Sequence, residues 1–252
     1  MSIKEKLVSV TENVPKVYDA GKKARDDEWW DTYLAPMKLG RPTNYLFAGP
    51  SWNGNTFYPN QDIIIKENAS SMFSRFSWNS NVANIDLAQR LEDCGVTLDV
   101  SNATTVTDMF FSAYVTRVPL LNFSKLTSLT EVFNGAKYLQ TIDELIIRDD
   151  GVNTFSNTFN GCTALKTVKF TGVIGRSINF SDCPLEEDTI KNIAECLKDY
   201  SDDTTNHYKY TLTVNSSAFS ALEEEGEETE YNGAVCTWAE LIDNKKWNLV
   251  KA

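Results

Sequence analysis

Asn157-Thr158-Phe159-Asn160-Gly161-Cys162-Thr163-Ala164-Leu165-Lys166-Thr167-Val168-Lys169-Phe170 is the stretch on which the reading of this 252-residue chain turns. Its opening has a precedent in Thr130-Glu131-Val132-Phe133-Asn134-Gly135. Leu139, Ile142 and Leu145 follow Phe133 much as Leu165, Val168 and Phe170 follow Phe159. Weaker copies are Thr107-Asp108-Met109-Phe110, trailed by Val115, Val118 and Leu121, and Ser71-Met72-Phe73. The step from Phe110 to Phe133 is 23 residues and the step from Phe133 to Phe159 is 26. A period of this size marks units that cannot bury an apolar face alone and do so by stacking.

Each unit holds a turn, a short strand and a connection. Val168 and Phe170 point one way, Thr167 and Lys169 the other, which predicts a strand with one wet face. The Asn-Gly pairs suit a sharp turn with positive φ. Unrelated hairpin turns would not explain the Phe one residue before each pair and the Leu four residues after it. The predicted core positions are Phe73, Phe110, Phe133, Leu139, Ile142, Phe159, Leu165, Val168 and Phe170. Between Phe73 and Phe110, Leu87-Ala88-Gln89-Arg90-Leu91-Glu92-Asp93-Cys94-Gly95 reads as a short helix ending at its glycine. Phe180-Ser181-Asp182-Cys183-Pro184-Leu185 is a fifth, partial copy, as suits a unit that caps an open end.

The segment Phe159-Asn160-Gly161-Cys162-Thr163-Ala164-Leu165-Lys166-Thr167-Val168 resembles the BspA-type leucine-rich repeat, whose units read roughly Phe-x-x-Cys-x-x-Leu-x-x-Ile/Val. The resemblance covers about residues 70 to 185 and is close from 127 to 172; the other copies lack the Cys and shift the Leu. It implies an α+β fold built on a short, irregular leucine-rich-repeat solenoid, with an N-terminal helical segment and a C-terminal α/β cap.

Ile3, Leu7, Val10, Val14 and Val17 recur at alternating steps of four and three, the pattern of a coiled-coil seam or an amphipathic helix. Pro15 falls where a second helix would begin, with Asn13 as its cap, and Pro36 would end that helix. Two readings fit this face: an end cap on the chain's own stack, or a contact with sister copies or a docking partner. The words Glu12-Asn13-Val14-Pro15-Lys16-Val17-Tyr18-Asp19-Ala20-Gly21-Lys22-Lys23, with Trp30-Asp31, resemble the lead segment of phage and prophage structural proteins of Gram-positive gut bacteria. In that group the segment precedes BspA-type repeats. Residues 186–252, read as helix, strand, helix, helix, strand, resemble the ending of the same proteins. Tyr208-Lys209-Tyr210-Thr211-Leu212-Thr213-Val214 is the strand, and Ile190, Ile193, Ala194 and Leu197 form the apolar face of the preceding helix.

The division that follows is an attachment or oligomerisation segment over 1–35 and an ordered aromatic-rich connector over 36–69. A repeat region over 70–185 and an α/β cap over 186–252 complete it. Trp52, Phe57 and Tyr58 of the connector are expected to be buried against the first repeat.

Composition narrows the function. With 42% hydrophobic and 12% aromatic residues, the chain fills a core. Residues 186–230 hold thirteen Asp or Glu against Lys191, Lys198 and Lys209, a balance of −10 out of the net −11. Such a segment repels phosphate backbones, so nucleic acid is not an expected partner. Glu223-Glu224-Glu225-Gly226-Glu227-Glu228 reads as a solvated loop. The longest apolar run, around Ile63-Ile64-Ile65, is too short to span a bilayer, and Met1–Lys6 reads as no secretory leader.

Five widely spaced cysteines, Cys94, Cys162, Cys183, Cys196 and Cys236, suggest no disulfide framework and include no CxxC pair for zinc. Cys162 and Cys183 occupy equivalent small slots of two units, close enough for a bond between them to be an open question. The lone histidine, His207, reads as a loop residue, and Cys196 as a structural thiol rather than its partner nucleophile. Hydrolase, zincin, P-loop and dinucleotide strings are absent. Asp149-Asp150-Gly151 lacks the spacing of a calcium loop and reads as a turn. No catalytic, metal or cofactor site is therefore expected.

The resemblance implies a virion structural component of the tail, baseplate or fibre, assembled in the host cytoplasm. Its partners would be other virion proteins, itself as a homo-oligomer with a trimer as the first expectation, and a host-surface glycan or protein. A secreted or surface adhesin of a gut bacterium is the other reading.

Overall fold

Alternation in Thr167-Val168-Lys169-Phe170-Thr171 produces a strand whose Val168 and Phe170 are buried while Lys169 and Thr171 are exposed. The same rule recurs along the chain. A computed structural model describes residues 47–48, 57, 59, 62–76, 85–224 and 226–252. In order, its elements are β1 (Ile63–Ile64), β2 (Ile85–Asp86), α1 (Leu87–Asp93), β3 (Leu98–Asp99), β4 (Val115–Val118), β5 (Leu121–Asn122), β6 (Thr141–Ile146) and β7 (Thr167–Thr171). Then follow β8 (Ile178–Phe180), α2 (Glu187–Cys196), β9 (Thr211–Val214), α3 (Ser216–Glu224), β10 (Glu228–Tyr231), β11 (Ala234–Thr237), α4 (Trp238–Asn244) and β12 (Asn248–Lys251).

Apart from the antiparallel β10–β11 hairpin, every sheet is parallel. The central sheet has the order β2-β4-β6-β5, with β7 on the other side of β6. Both β4 and β5 lie on the six-residue β6, Arg117 opposite Thr141 and Leu121 opposite Leu145. A smaller sheet runs β12-β9-β8, and β1 pairs with β3. A single apolar cluster extends from Phe47 to Trp247.

The expectation of an α+β leucine-rich-repeat solenoid with helices set apart at the two ends is corrected. The described residues form a mixed α/β fold of four helices with parallel sheets shaped as a half-barrel. The physical reason lies in the connections. Parallel neighbours need a crossover: α1 lies on the path from β2 to β4, α2 joins β8 to β9, and α3 and α4 lie on the path from β9 to β12, whereas β3 to β8 follow one another with no helix between them. The 1–35 segment, including Ile3, Leu7, Val10, Val14 and Val17, lies outside the described residues, as do Trp52 and Tyr58. Phe57 is 1% exposed.

Phenylalanine rings form the spine of the core. Phe47, Phe73, Phe110, Phe133, Phe159 and Phe180 follow one another at centroid separations of 5.1, 5.0, 5.5, 5.8 and 4.6 Å, with interplanar angles of at most 26°. The turns that carry them are joined backbone to backbone. Ser71, Phe73 and Arg75 donate N–H groups to the carbonyls of Thr107, Met109 and Phe111; Glu131, Phe133 and Gly135 donate to Ser156, Thr158 and Asn160. The alternate N–H groups curl back three residues, as Ser74 does to Ser71 and Asn134 to Glu131. Every second N–H can point to the neighbouring turn because two residues in each turn are left-handed. Ser71, Asp108, Glu131 and Asn157 have φ of 55°, 58°, 56° and 52°. Four residues later Arg75, Ser112, Gly135 and Gly161 repeat the conformation. The Asn-Gly words thus serve inter-turn pairing rather than hairpins, the glycines removing the strain an L side chain meets there.

The helix α1 starts at Asp86, whose carboxylate accepts from the Gln89 N–H at 2.8 Å, and is followed by Gly95 at φ +66°. Asp149-Asp150-Gly151 is a turn: Gly151 has φ +72° and the Asp150 carboxylate accepts from the Val152 N–H.

The free edge of β7 is closed by a helix. Asn192 of α2 accepts from the Phe170 N–H at 2.7 Å and donates to the Phe170 carbonyl at 3.2 Å, so one side chain stands in for a strand residue. Thr189, one turn earlier, accepts from the Val168 N–H. Asn192→Ala leaves a part-buried N–H unpaired and is expected to lower stability by about 2 kcal/mol. Urea unfolding of the variant checks this, and a loss below about 0.5 kcal/mol would show that water replaces the amide without cost.

At its C-terminus, α2 is capped from a distance. The Lys245 ammonium donates to the carbonyls of Ala194, Glu195 and Leu197 at 3.0, 2.7 and 3.1 Å. Burial lowers its pKa, against the opposing pull of the Asp199 carboxylate. Trp247 seals the same junction, its indole donating to the Lys198 carbonyl at 2.8 Å. Of the stretch 223–228 read as a solvated loop, Glu223 and Glu224 end α3 and Glu228 begins the β10–β11 hairpin, which the sequence reading did not include. Its strands bury little, so the apolar alternation that marks a strand is missing.

Candidate display surface

The predicted core residues are consumed by packing. Phe73, Phe110, Phe133, Leu139, Ile142, Phe159, Leu165, Val168 and Phe170 are all at most 2% exposed. Phe170 stands outside the ring stack and meets Phe159 and Phe180 edge to face. Phe47, which heads the stack, was not among the predicted positions. Its signal was present: Phe47-Ala48-Gly49 has the Phe-x-Gly spacing of Phe133-Asn134-Gly135 and Phe159-Asn160-Gly161.

Because the turns and strands repeat, their outward side chains form rows. Along the turn edge, Asn157 donates to the Glu131 carboxylate at 3.2 Å and Asn160 to the Asn134 amide oxygen at 3.4 Å. Burial pushes the Asp108 carboxyl up, and neighbouring Glu131 adds to the effect by hydrogen bonding and charge. Beyond the turn, Tyr114 and Tyr138 sit side by side at 5.0 Å and 54°, with the Lys137 ammonium 5.5 and 4.9 Å from the two rings. The next row lies on the wet face of the central sheet. Arg117 and Asp143 form a two-pronged pair at 2.6 and 3.0 Å. Thr171 donates to Glu144 at 2.6 Å, and Lys169 lies 3.3 Å from it; that hydroxyl bond, with the lysine, holds the Glu144 carboxyl below its usual value despite some burial.

The side chains that could do covalent chemistry have structural partners. Burial pushes the Cys162 thiol up to about 12, and Cys183 is raised by the same cause. Cys162 donates to the Phe133 carbonyl at 3.1 Å and Cys183 to that of Phe159 at 3.6 Å; both are free thiols. Cys196 donates to the Phe170 carbonyl, while the His207 ring pairs with the Ser201 carbonyl, so each has its own backbone partner. Among the described residues no group of three His, Cys, Asp or Glu is placed to hold a metal ion. No helix among them is long and apolar enough to cross a membrane. The chain matches no known family model, no curated protein and no solved structure.

Thiolate is the reactive form of cysteine, so the thiols should differ sharply. With excess alkylating reagent at neutral pH, the half-buried Cys94 and Cys196 should label in the native protein, and the buried Cys162 and Cys183 only after unfolding. Mass spectrometry of the digested product reads the order. Early labelling of Cys162 would mean that the turns open far more often than their pairing implies.

Proposed function

We propose that this chain is a non-enzymatic structural component of a phage virion, associated with the tail, baseplate or a fibre. It presents its rows of outward side chains to other virion proteins, to copies of itself or to the host surface. The observation that supports this reading is the division of labour across the turns and strands. Inward groups are spent on one continuous ring stack, and outward groups such as Tyr114 with Tyr138 and Arg117 with Asp143 pair from unit to unit on a backbone that is hydrogen-bonded from turn to turn. Such a body resists deformation and offers a preorganised surface, which lowers the ordering cost of binding. The class itself is suggested by the resemblance read in the words of Glu12–Lys23 and of residues 186–252.

Mass spectrometry of purified particles tests the reading. The chain should be present in fixed stoichiometry with the tail proteins, and the isolated protein should scatter light as an oligomer, a trimer in the first instance. Absence from particles together with a monomeric mass would overturn it.

A further inference from the structure

One row on the turn edge is made of the left-handed residues themselves. Ser71, Asp108, Glu131 and Asn157 hold the same place in successive turns, at φ of 55°, 58°, 56° and 52°. The turns of Asp108 and Glu131 are in register, since Phe110 donates its N–H to the Val132 carbonyl and Ser112 to that of Asn134. Where the row runs from Glu131 to Asn157, the amide supplies a hydrogen and the carboxylate accepts it. Where it runs from Asp108 to Glu131, acid meets acid, and neither has a hydrogen to give when both are ionised. The Asp108 Oδ1 is buried and has no partner. A buried acceptor left unpaired is costly, and two carboxylates that share a site resist ionising together.

From this arrangement we infer that Asp108 and Glu131 form a proton-operated clasp between two turns of the display surface. In mildly acidic solution one proton lies between the two carboxyls, donated by one and accepted by the other. The turns are then bonded side chain to side chain, as they are at Asn157. In neutral solution that proton leaves, and the row carries a repelling pair at this point. No other described group on the neighbouring turns replaces Glu131. Lys66 and Glu67 are exposed ahead of Ser71, and Arg75 is exposed four residues after it, level with Ser112 rather than with Asp108. On the turn of Asp108 itself, Thr105, Thr107 and Ser112 carry no charge. Burial and Glu131 both hold the Asp108 carboxyl above its ordinary value. A carboxyl raised on folding contributes stability that is fully present below its unfolded pKa and is lost as pH rises through its folded pKa. Glu144 and Asp150 are held low and act in the opposite sense. The clasp goes beyond the proposed role and does not depend on it.

The test compares the full chain with Asp108→Asn. Asparagine keeps the shape, tolerates the left-handed backbone as Asn157 does, and carries its hydrogens at every pH. Urea unfolding of both chains at about pH 7.5 and about pH 4 gives the ratio of their folding constants, in which the titration of distant groups such as Glu144 and Asp150 cancels. The ratio of variant to unaltered chain should fall about fivefold on going to the lower pH, the worth of one hydrogen bond. Carbon-13 NMR of the Asp108 carboxyl is the second measurement. Its titration midpoint should lie above that of an ordinary aspartate and should drop in Glu131→Gln, whose amide donates a hydrogen at every pH. A ratio that does not change with pH, or a midpoint that stays in place in Glu131→Gln, overturns the clasp. Neither result bears on whether the chain is found in particles.

Discussion

Phe133→Ala should lower the stability of the folded chain by about 4 kcal/mol, near the top of the range for truncating a buried aromatic. Phe133 is fully buried in the middle of the ring stack, 5.5 Å from Phe110 and 5.8 Å from Phe159, with interplanar angles of 12° and 14°. Removing it deletes apolar contacts on both faces and two ring-on-ring contacts, each worth roughly 1 kcal/mol beyond area. The hole is hard to close, because the backbone on either side is pinned by Phe110 N–H to Val132 and Phe133 N–H to Thr158. A domain with a total stability of about 5–15 kcal/mol would be driven to the margin. Urea unfolding followed by circular dichroism measures the loss, with Tyr138→Ala on the surface as the control, expected within about 1 kcal/mol. A loss for Phe133→Ala below about 1.5 kcal/mol would mean that the stack relaxes and is not a rigid spine.

Gly175→Ala should destabilise by about 3 kcal/mol, the severe end of overpacking, for the opposite reason. A Cβ built on Gly175 stands 2.1 Å from the Gly151 carbonyl oxygen and 2.8 Å from its Cα, contacts that only a backbone shift relieves. That shift is opposed on both sides. The Tyr200 hydroxyl donates to the Gly175 carbonyl at 2.7 Å, and Lys198 donates to the Asp150 carbonyl next to Gly151 at 3.1 Å. Gly95→Ala is the matching control: nothing lies within 4 Å of its Cβ, and only the left-handed φ of +66° opposes it. It should cost about 1 kcal/mol. A loss at Gly175 no larger than that at Gly95 would show that the backbone gives way and that the close approach is relieved at little cost.

Legibility followed the range of the interactions. The Phe positions, the strand at Thr167–Phe170, the helix before Gly95 and the apolar face Ile190, Ile193, Ala194 each rest on spacing within one segment, so they can be read from a single pass along the chain. Phe47 carried the same Phe-x-Gly word but sat among Pro, Gly and Asn, which masked it. Asn192, Lys245 and Gly175 carry no local signal. Asn192 is an ordinary polar residue on a helix until the free edge of β7 lies beside it. Lys245 lies 48 to 51 positions from the carbonyls it caps. The orphaned oxygen of Asp108 belongs with them, because a carboxyl is left without a donor only by what surrounds it.

By itself the sequence determined the repeated unit: which residues face inward, the left-handed turn at the two Asn-Gly pairs, and how far one ring stands from the next along the chain. Those properties depend on side-chain size, branching and φ preference, which act within a few residues. Tertiary structure alone decided the class of fold and the surface. Whether β5 lies on β6 or elsewhere, which helix closes the edge of β7, and that the parallel strands form a half-barrel were settled by pairings between distant segments. Hydrogen-bond donors and acceptors are alike in every unit, so backbone pairing has no preference among partners until burial of the ring stack chooses one.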